Sequence, residues 1–465
     1  MASLTTSAHE LKAKLSQQAD PLQTVLDERI IHQLCDVVGH SWRYCFWRPA
    51  IVMLTFLRQV LTKDGSCRQA VAMTLATTSP TTKQHVPGEE HDPSSDPSAY
   101  SHARQRLPVD LYRAVSSQVL QHVQTPQRRW RGHRVHVVDG SSVQMPDTEE
   151  LQQRFPQPTG QRPGCGFPVA RIVAVFCWAS GALVELVVDS LKVSELTLFR
   201  QLTHRFSPGD VVVGDRFYGA YYDFATLAQR GVHGLFRKRK GPLTDLRRGQ
   251  RLGKGDHVVV WRRPQSRAWG VTPEQWNTIP EALTLRHVRV TTMCQRGFRQ
   301  RQIELFTTLL DPVGYPPDVI AELYRDRWMA ELNLRSLKTT LGMEVLRCKS
   351  VEMIHKELAM HQIAYNLIRV LMDQAAMTFD GDPHRLSFAG TQQRILSVLP
   401  VLDICRTRAS QHRLVRHLLG SIASDLLPHR PNRNEPRAVK RRPKSYPYLT
   451  HPRDNARRIP SHDKR

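Results

Sequence analysis

Residues 134–145 read RVHVVDGSSVQM and residues 210–219 read DVVVGDRFYG. Each is a short β-branched run that ends in an aspartate, Asp139 in the first and Asp215 in the second, beside a glycine. β-Branched side chains favour the pleated backbone, and a short apolar run bounded by turn residues reads as a buried strand. Taken singly, an aspartate beside a glycine is a turn residue. Two of them closing buried strands of one sheet place two carboxylates at the sheet's edge, where they can bind a cation.

The stretch between and after these runs predicts one mixed sheet. VARIVAVFCW (169–178), the turn ASGA (179–182) and LVELVVDSL (183–191) form a hairpin pattern. SELTLFRQLTHRF (194–206) is a helix capped by Ser194, with Glu195 favourable to the helix dipole. AYYDFATLAQRG (220–231) is a helix closed by Gly231, and VHGLFRK (232–238) is a further strand. The order β-β-β-α-β-α-β predicts an α/β fold. His136 reads as a structural residue of the first strand, and Asp147 in MPDT as a turn former.

Upstream, the spacing predicts helices through about residue 75, in ELKAKL (10–15), IHQLCDVV (31–38) and PAIVMLTFLRQVL (49–61), the last with Pro49 in its first turn. Residues 79–98 are rich in Ser, Pro and charge and read as a linker, and residues 99–123 resume a helical pattern interrupted at Pro108. Downstream, residues 238–305 begin basic and continue strand-like in HVVVWRR (257–263), LTLRHVRVTTM (283–293) and RQIELFTTLL (301–310), a β-rich insertion. Helices are expected over about 317–342 and 353–377, with a further helical segment ending near Leu427.

The chain has 465 residues, of which 40% are hydrophobic, so it supports a packed core and more than one structural unit. Its net charge is +24, and the tail from Arg430 contributes +9 of that. The remaining +15 is spread over the body, which points to a polyanionic partner; size and charge favour nucleic acid over an anionic membrane. The eight cysteines form no Cys-x-x-Cys pair, as expected of reduced thiols in a cytosol. The longest apolar run near the front, AIVMLTFL (50–57), is too short for a membrane span, and no secretory leader pattern precedes it. A soluble, cytoplasmic protein is expected, without a membrane partner.

Carboxylate oxygens are the ligands Mg²⁺ prefers, and two ions held side by side can support displacement at phosphorus. That chemistry wants a third carboxylate, and the segment 324–341, YRDRWMAELNLRSLKTTL, supplies Glu331. At about 100° per residue, Tyr324, Arg327, Glu331 and Lys338 fall within an arc of about 60° beside the apolar stripe of Leu323, Ala330, Leu334, Leu337 and Leu341. A solvated charged face is the ordinary reading of such a set. An aromatic ring, two cations and a carboxylate aligned along the core's edge also suit a site that handles a nucleotide.

The pattern Tyr324-x-x-Arg327-x-x-x-Glu331-x-x-x-x-x-x-Lys338 resembles the Y-R-E-K signature of DDE transposases of the bacterial insertion-sequence-4 group. DGSSVQMPDT (139–148) and GDRFYGAYYDFATLAQRGVHGLFRKR (214–239) resemble that group's first two acidic blocks. SAYSHARQRLP (98–108) resembles the stretch before the first block, so the likeness runs from about residue 40 to 375. It implies a ribonuclease-H-like mixed-sheet catalytic core with a β-rich insertion, flanked by helical N- and C-terminal regions. The parts would be a DNA-binding helical region (1–128), the core in two pieces (129–237 and 306–377), the insertion (238–305), a helical region (378–428) and a basic disordered tail (429–465).

The resemblance further implies that Asp139, Asp215 and Glu331 bind two Mg²⁺ ions, with Mn²⁺ as a substitute, and cut and rejoin DNA in a bacterial, nucleoid-associated setting. Tyr324, Arg327, Arg335 and Lys338 would hold a distorted transposon end; apart from the resemblance, the charge run Arg237, Lys238, Arg239 and Lys240 reads either as a solvated edge or as a DNA contact at the mouth of the site. A tryptophan would stack on an extruded base; Trp261, Trp269, Trp276 and Trp328 are the candidates. The implied partners are transposon ends and target DNA, and a second copy of the chain in the end complex. Two other outcomes stay open at this point: a structure-specific nuclease that does not join, and an inactive DNA-binding derivative.

Overall fold

The computed structural model describes residues 27–43, 45–77, 94–123, 129–239, 249–292, 301–405, 407–428 and 448–458. The expected helix at 10–15, most of the 79–98 linker, Lys240, Cys294 and most of the basic tail lie outside them.

Among the described residues, five helices precede the sheet: α1 (Glu28–Val37), α2 (Pro49–Leu61), α3 (Cys67–Thr77), α4 (Pro97–Arg106) and α5 (Val109–His122). Pro49 opens α2, where its missing N–H costs nothing, and Asp96 caps α4 through the amide of Ser98. Pro108 separates α4 from α5, as the sequence predicts.

Strand β1 (Val135–Gln144) is followed by the short helix α6 (Glu149–Arg154), the hairpin β2 (Val169–Cys177) and β3 (Leu183–Ser190), then α7 (Glu195–Leu202). Next come β4 (Val211–Gly214), α8 (Tyr221–Gln229) and β5 (His233–Arg237). The β-rich stretch gives β6 (Gln250–Gly253), β7 (Asp256–Arg262), the short helix α9 (Pro273–Thr278), β8 (Ala282–Thr292) and β9 (Arg301–Thr307). Two helices, α10 (Pro317–Asp326) and α11 (Trp328–Arg335), run into a π-turn at Ser336–Thr340. The long α12 (Val351–Thr378), α13 (Phe388–Ile404), α14 (Arg408–Ser424) and α15 (Arg453–Arg458) complete the described chain.

The strands form one nine-stranded sheet in the order β3-β2-β1-β4-β5-β9-β8-β7-β6. β1 is antiparallel to β2 and parallel to β4, and β4 is parallel to β5, the mixed arrangement of a ribonuclease-H-like core. The strands of the insertion are hydrogen-bonded directly onto that core: β9 pairs antiparallel with β5, then β8, β7 and β6 follow by antiparallel pairing.

Alternation along the strands assigns each face its helices. Val137 and Val143 of β1 join α2, α5, α11 and α12 in one core, while Val138 joins Leu198, Phe199 and Leu202 of α7 and Phe224 of α8 in another. A third cluster packs Ile320 and Leu323 of α10 on Val211, Val213 and Leu235. Each fully buried Val, Leu or Phe contributes roughly 1.5–3 kcal/mol, so these clusters fix which helices flank β1. The sequence predicted one helix over 317–342. The structure instead changes helical step twice, at Arg327, where the N–H bonds reach back three residues, and in the π-turn after Arg335.

Candidate active site

Parallel pairing brings the two aspartates together. Val137 faces Val213 across β1 and β4, and each acid lies two residues further along the chain, Asp139 within β1 and Asp215 just past the end of β4. Neighbouring strands are about 4.8 Å apart, so the register alone brings Asp139 and Asp215 to one edge. β4 ends before its acid, whereas β1 continues past Asp139 to Gln144, paired with β2. Asp139 Oδ1 accepts the Gly140 amide at 3.0 Å, and Asp215 Oδ1 accepts the Phe217 amide at 2.6 Å.

Glu331 arrives on α11, which lies on the Val137 face through Ala330 and Leu334, with Leu337 of the π-turn beside them. Three ties fix its height above β1. The Trp178 indole at the end of β2 donates to Asp326 at 2.9 Å, and Arg369 of α12 donates to the buried side chain of Asn333 at 2.5 Å. Gln144 exchanges backbone hydrogen bonds with Glu344 and Leu346, just past the π-turn. The strand with the first acid and the helix with the third are thus pinned at several points.

The charges report the convergence. Burial pushes the Asp139 carboxyl up to about 6; Arg327 and the Gly140 amide oppose that rise, while Glu331 and Glu195 add to it. Burial likewise raises the Tyr324 hydroxyl; Arg327 and Arg237 oppose the shift and Asp215 adds to it. Asp139, Asp215, Glu331, Tyr324 and Arg327 therefore occupy one electrostatic neighbourhood. Arg327 Nη2 donates to Glu331 at 3.2 Å and its guanidinium lies 5.9 Å from the Tyr324 ring centre. Lys338 Nζ donates to Ser141 Oγ at 3.1 Å, two residues beyond the first acid.

The donor set is all oxygen, the type that hard divalent cations take. The mutual repulsion at Asp139 leaves negative charge that such a cation would offset, so the residues fit one. Among the described residues, no three His, Cys, Asp or Glu side chains are gathered closely enough to hold a metal as they stand. Glu331 is engaged by Arg327, and each aspartate accepts a nearby amide.

The other candidate residues separate by exposure. Arg335, Arg237 and Arg239 are exposed, with Arg239 over the Phe217 ring at 5.8 Å, and Lys238 is paired with Glu304 at 2.8 Å. Trp276 is buried and stacked on Tyr222, while Trp261 lies edge-on to Tyr221 and over Phe306. Trp269 is 85% exposed, and Trp328 is 47% exposed beside the site. His136 is buried against Asp210 and structural, as its strand position suggests; Asp147 accepts from Gln152. Glu195, read from sequence as a helix-start acid that favours the helix dipole, lies within electrostatic reach of Asp139 and Asp215.

Residues 130–367 match the family described as Transposase DDE domain. Over 382 residues the chain is 30% identical to the transposase InsG for insertion sequence element IS4 from Escherichia coli (strain K12), covering 78% of this chain and 80% of that one. This chain belongs to the DDE transposase family. The family carries divalent-metal dependence and DNA as the partner, in keeping with the all-oxygen site and the +24 charge. Among solved structures, the transposase is similar to a piggyBac transposase synaptic complex with hairpin DNA, at a TM-score of 0.42 and 10% identity over 90% of this chain and 88% of that one. No helix among the described residues is long and apolar enough to cross a membrane.

Proposed function

We propose that this transposase moves an insertion sequence by cutting and pasting, with Asp139, Asp215 and Glu331 holding two Mg²⁺ ions, or Mn²⁺ in their place. What supports the reading is the β1–β4 register, which brings Asp139 and Asp215 to one end of that parallel pair, together with the Arg327–Glu331 contact on α11. Bound there, the ions would supply Lewis-acid activation of the attacking oxygen and charge neutralisation at the leaving oxygen.

The chain's own residues hold the DNA. Arg327 and Lys338 bind phosphates of the transposon end, and Tyr324 packs beside the bent strand. Arg335, Arg237, Lys238, Arg239 and Lys240 extend the phosphate contacts, which position DNA without reading its sequence. In the first step water attacks the end phosphate and releases a 3′-OH. That hydroxyl attacks the opposite strand, closing a hairpin on the transposon and releasing the flank. Water reopens the hairpin, and the 3′-OH then attacks a target phosphodiester, displacing a target 3′-OH. A hairpin needs a sharply bent strand, which is easier when a base leaves the stack for an aromatic surface. Trp269 is the tryptophan of the insertion exposed enough for that role, and Trp328 flanks the site. The N-terminal helices bind the terminal inverted repeats, and two copies pair two ends.

The test is Asp139→Asn with labelled end DNA. End binding is expected to persist and nicking to vanish; unchanged nicking refutes the assignment. A pre-cut end offered with target plasmid separates joining from hydrolysis, because a structure-specific nuclease leaves the target unjoined.

A further inference from the structure

Outside the triad, one acidic side chain is built into the site from three separate elements. Glu195 opens α7, whose first turn is fixed by the Ser194 cap on the Thr197 amide at 3.1 Å. Its carboxyl lies directly over Gly140, the residue after Asp139. A Cβ added at Gly140 would fall 2.5 Å from each Glu195 oxygen, so the glycine is what makes room for the acid. From the third side, the fully buried Tyr218, three residues after Asp215, donates its hydroxyl to Glu195 Oε1 at 2.5 Å.

Glu195 gives the buried Tyr218 hydroxyl its acceptor, but a neutral side chain would serve that need as well. A carboxylate half-withdrawn from water beside Asp139 and Asp215 is repelled by both, and Ser194 alone suffices to start the helix. The strand of the first acid gives up its side chain to admit Glu195, and the loop of the second acid supplies the donor that aims it. Tyr218 occupies Oε1 and leaves Oε2 available to a further partner.

We propose that Glu195 is a fourth carboxylate of the cation site, contributing an oxygen to a divalent ion or to its bound water, with Tyr218 as its positioning residue and Gly140 as the gap that admits it. This rests on the reading that Asp139 and Asp215 hold the ion.

The experiment is Mn²⁺ titration of the full-length protein bound to pre-cut end DNA, followed by calorimetry and by the electron paramagnetic resonance of free Mn²⁺. Glu195→Gln keeps size and the Tyr218 contact while removing the charge. It is expected to weaken Mn²⁺ binding by about 10–100-fold, the usual loss when a supporting partner of a metal site is removed, while DNA binding without metal stays unchanged. Tyr218→Phe is expected to give a smaller loss in the same direction. Gly140→Ala is expected to weaken Mn²⁺ binding in the wild-type background and to add nothing once Glu195→Ala has removed the group it collides with, a non-additivity that a general folding defect would not produce. A Glu195→Gln isotherm that overlays the wild type overturns the proposal. Asp139→Asn and Asp215→Asn serve as the reference. If they abolish binding while the Glu195→Gln isotherm overlays the wild type, only the role of Glu195 falls. If they too bind Mn²⁺ normally, the triad assignment falls and this proposal with it.

Discussion

Replacing Arg286 with methionine is expected to destabilise the protein by about 3–5 kcal/mol, and the structure says why the figure is so large. Arg286 of β8 has no solvent exposure, and its Nε and Nη2 hold both oxygens of Asp256 on β7 at 2.8 and 2.6 Å. Its Nη1 reaches the carbonyls of Asp311 at 3.2 Å and Tyr315 at 2.7 Å, in the loop that leads from β9 into α10. A buried pair contributes little net stability, because desolvation offsets attraction. Removing one partner is different: Asp256, 3% exposed, would be left charged with no counterion. Methionine is unbranched and fills most of the arginine stem's path, so lost packing is the smaller term and the stranded carboxylate dominates. The two loop carbonyls are nearer solvent and can turn to water. Urea unfolding followed by tryptophan fluorescence measures the loss as a fall in midpoint at constant slope. Adding Asp256→Leu should recover most of it, since an apolar pair of similar volume replaces a buried ion pair at little cost. A single variant within about 1 kcal/mol of wild type, or a double variant no better than the single, would refute the argument.

Two further outcomes follow from burial. Burial, with Arg347 adding to it, lowers His361 to about 3, and burial, with Lys238, Arg289 and His257 adding and Glu304 opposing, lowers His287 to about 4. The unfolded chain takes up these protons from about pH 6.5 downward while the folded one does not, so each ring costs about 1.4 kcal/mol of stability per pH unit lost from there to its folded value, and nothing above pH 6.5. His361→Leu should flatten the fall in urea midpoint between pH 7 and 5; an unchanged slope would show that this ring is not neutral in the fold. Trp269→Ala should leave stability within about 0.5 kcal/mol and slow hairpin formation, whereas Trp276→Ala should cost about 3–5 kcal/mol by emptying its place against Tyr222. Equal stability losses in the two variants would contradict their difference in exposure.

What the sequence made legible is what depends on near neighbours. The β-branched runs ending in Asp139 and Asp215 became β1 and β4, the ASGA turn closed the β2–β3 hairpin, and Pro49 and Pro108 marked helix starts and breaks. The change of step at Arg327 and the π-turn after Arg335 were not legible, because no proline or glycine announces them; they follow from tertiary ties at Asp326, Asn333 and Gln144. The joining of β9 to β5 was hidden for a related reason, since strand pairing across many residues leaves no local pattern. Glu195 looked like a helix-start acid because Gly140 and Tyr218, which give it another setting, lie 55 and 23 positions away. The tryptophans of the insertion were alike in spacing and are told apart only by what packs on them.

The internal pairing of the signature residues bears on how metal and DNA would act together. Arg327 holds Glu331, and Lys338 holds Ser141 with Glu344 beyond it at 3.9 Å. Under the proposed assignment, a cation draws Glu331 away from Arg327, and a phosphate draws Arg327 away from Glu331. Each partner separates the same pair, so whichever arrives first spares the second that cost, and the favour is reciprocal by linkage. The separation is modest for a half-buried pair, within the range of about 1–3 kcal/mol that couples two sites. Under that assignment the site would hold its ions weakly until a DNA end is seated, which would keep hydrolytic chemistry from running on an empty cleft. Arg327→Gln tests the link directly: metal binding without DNA should tighten, because Glu331 is then released, while the dependence of metal affinity on DNA should shrink.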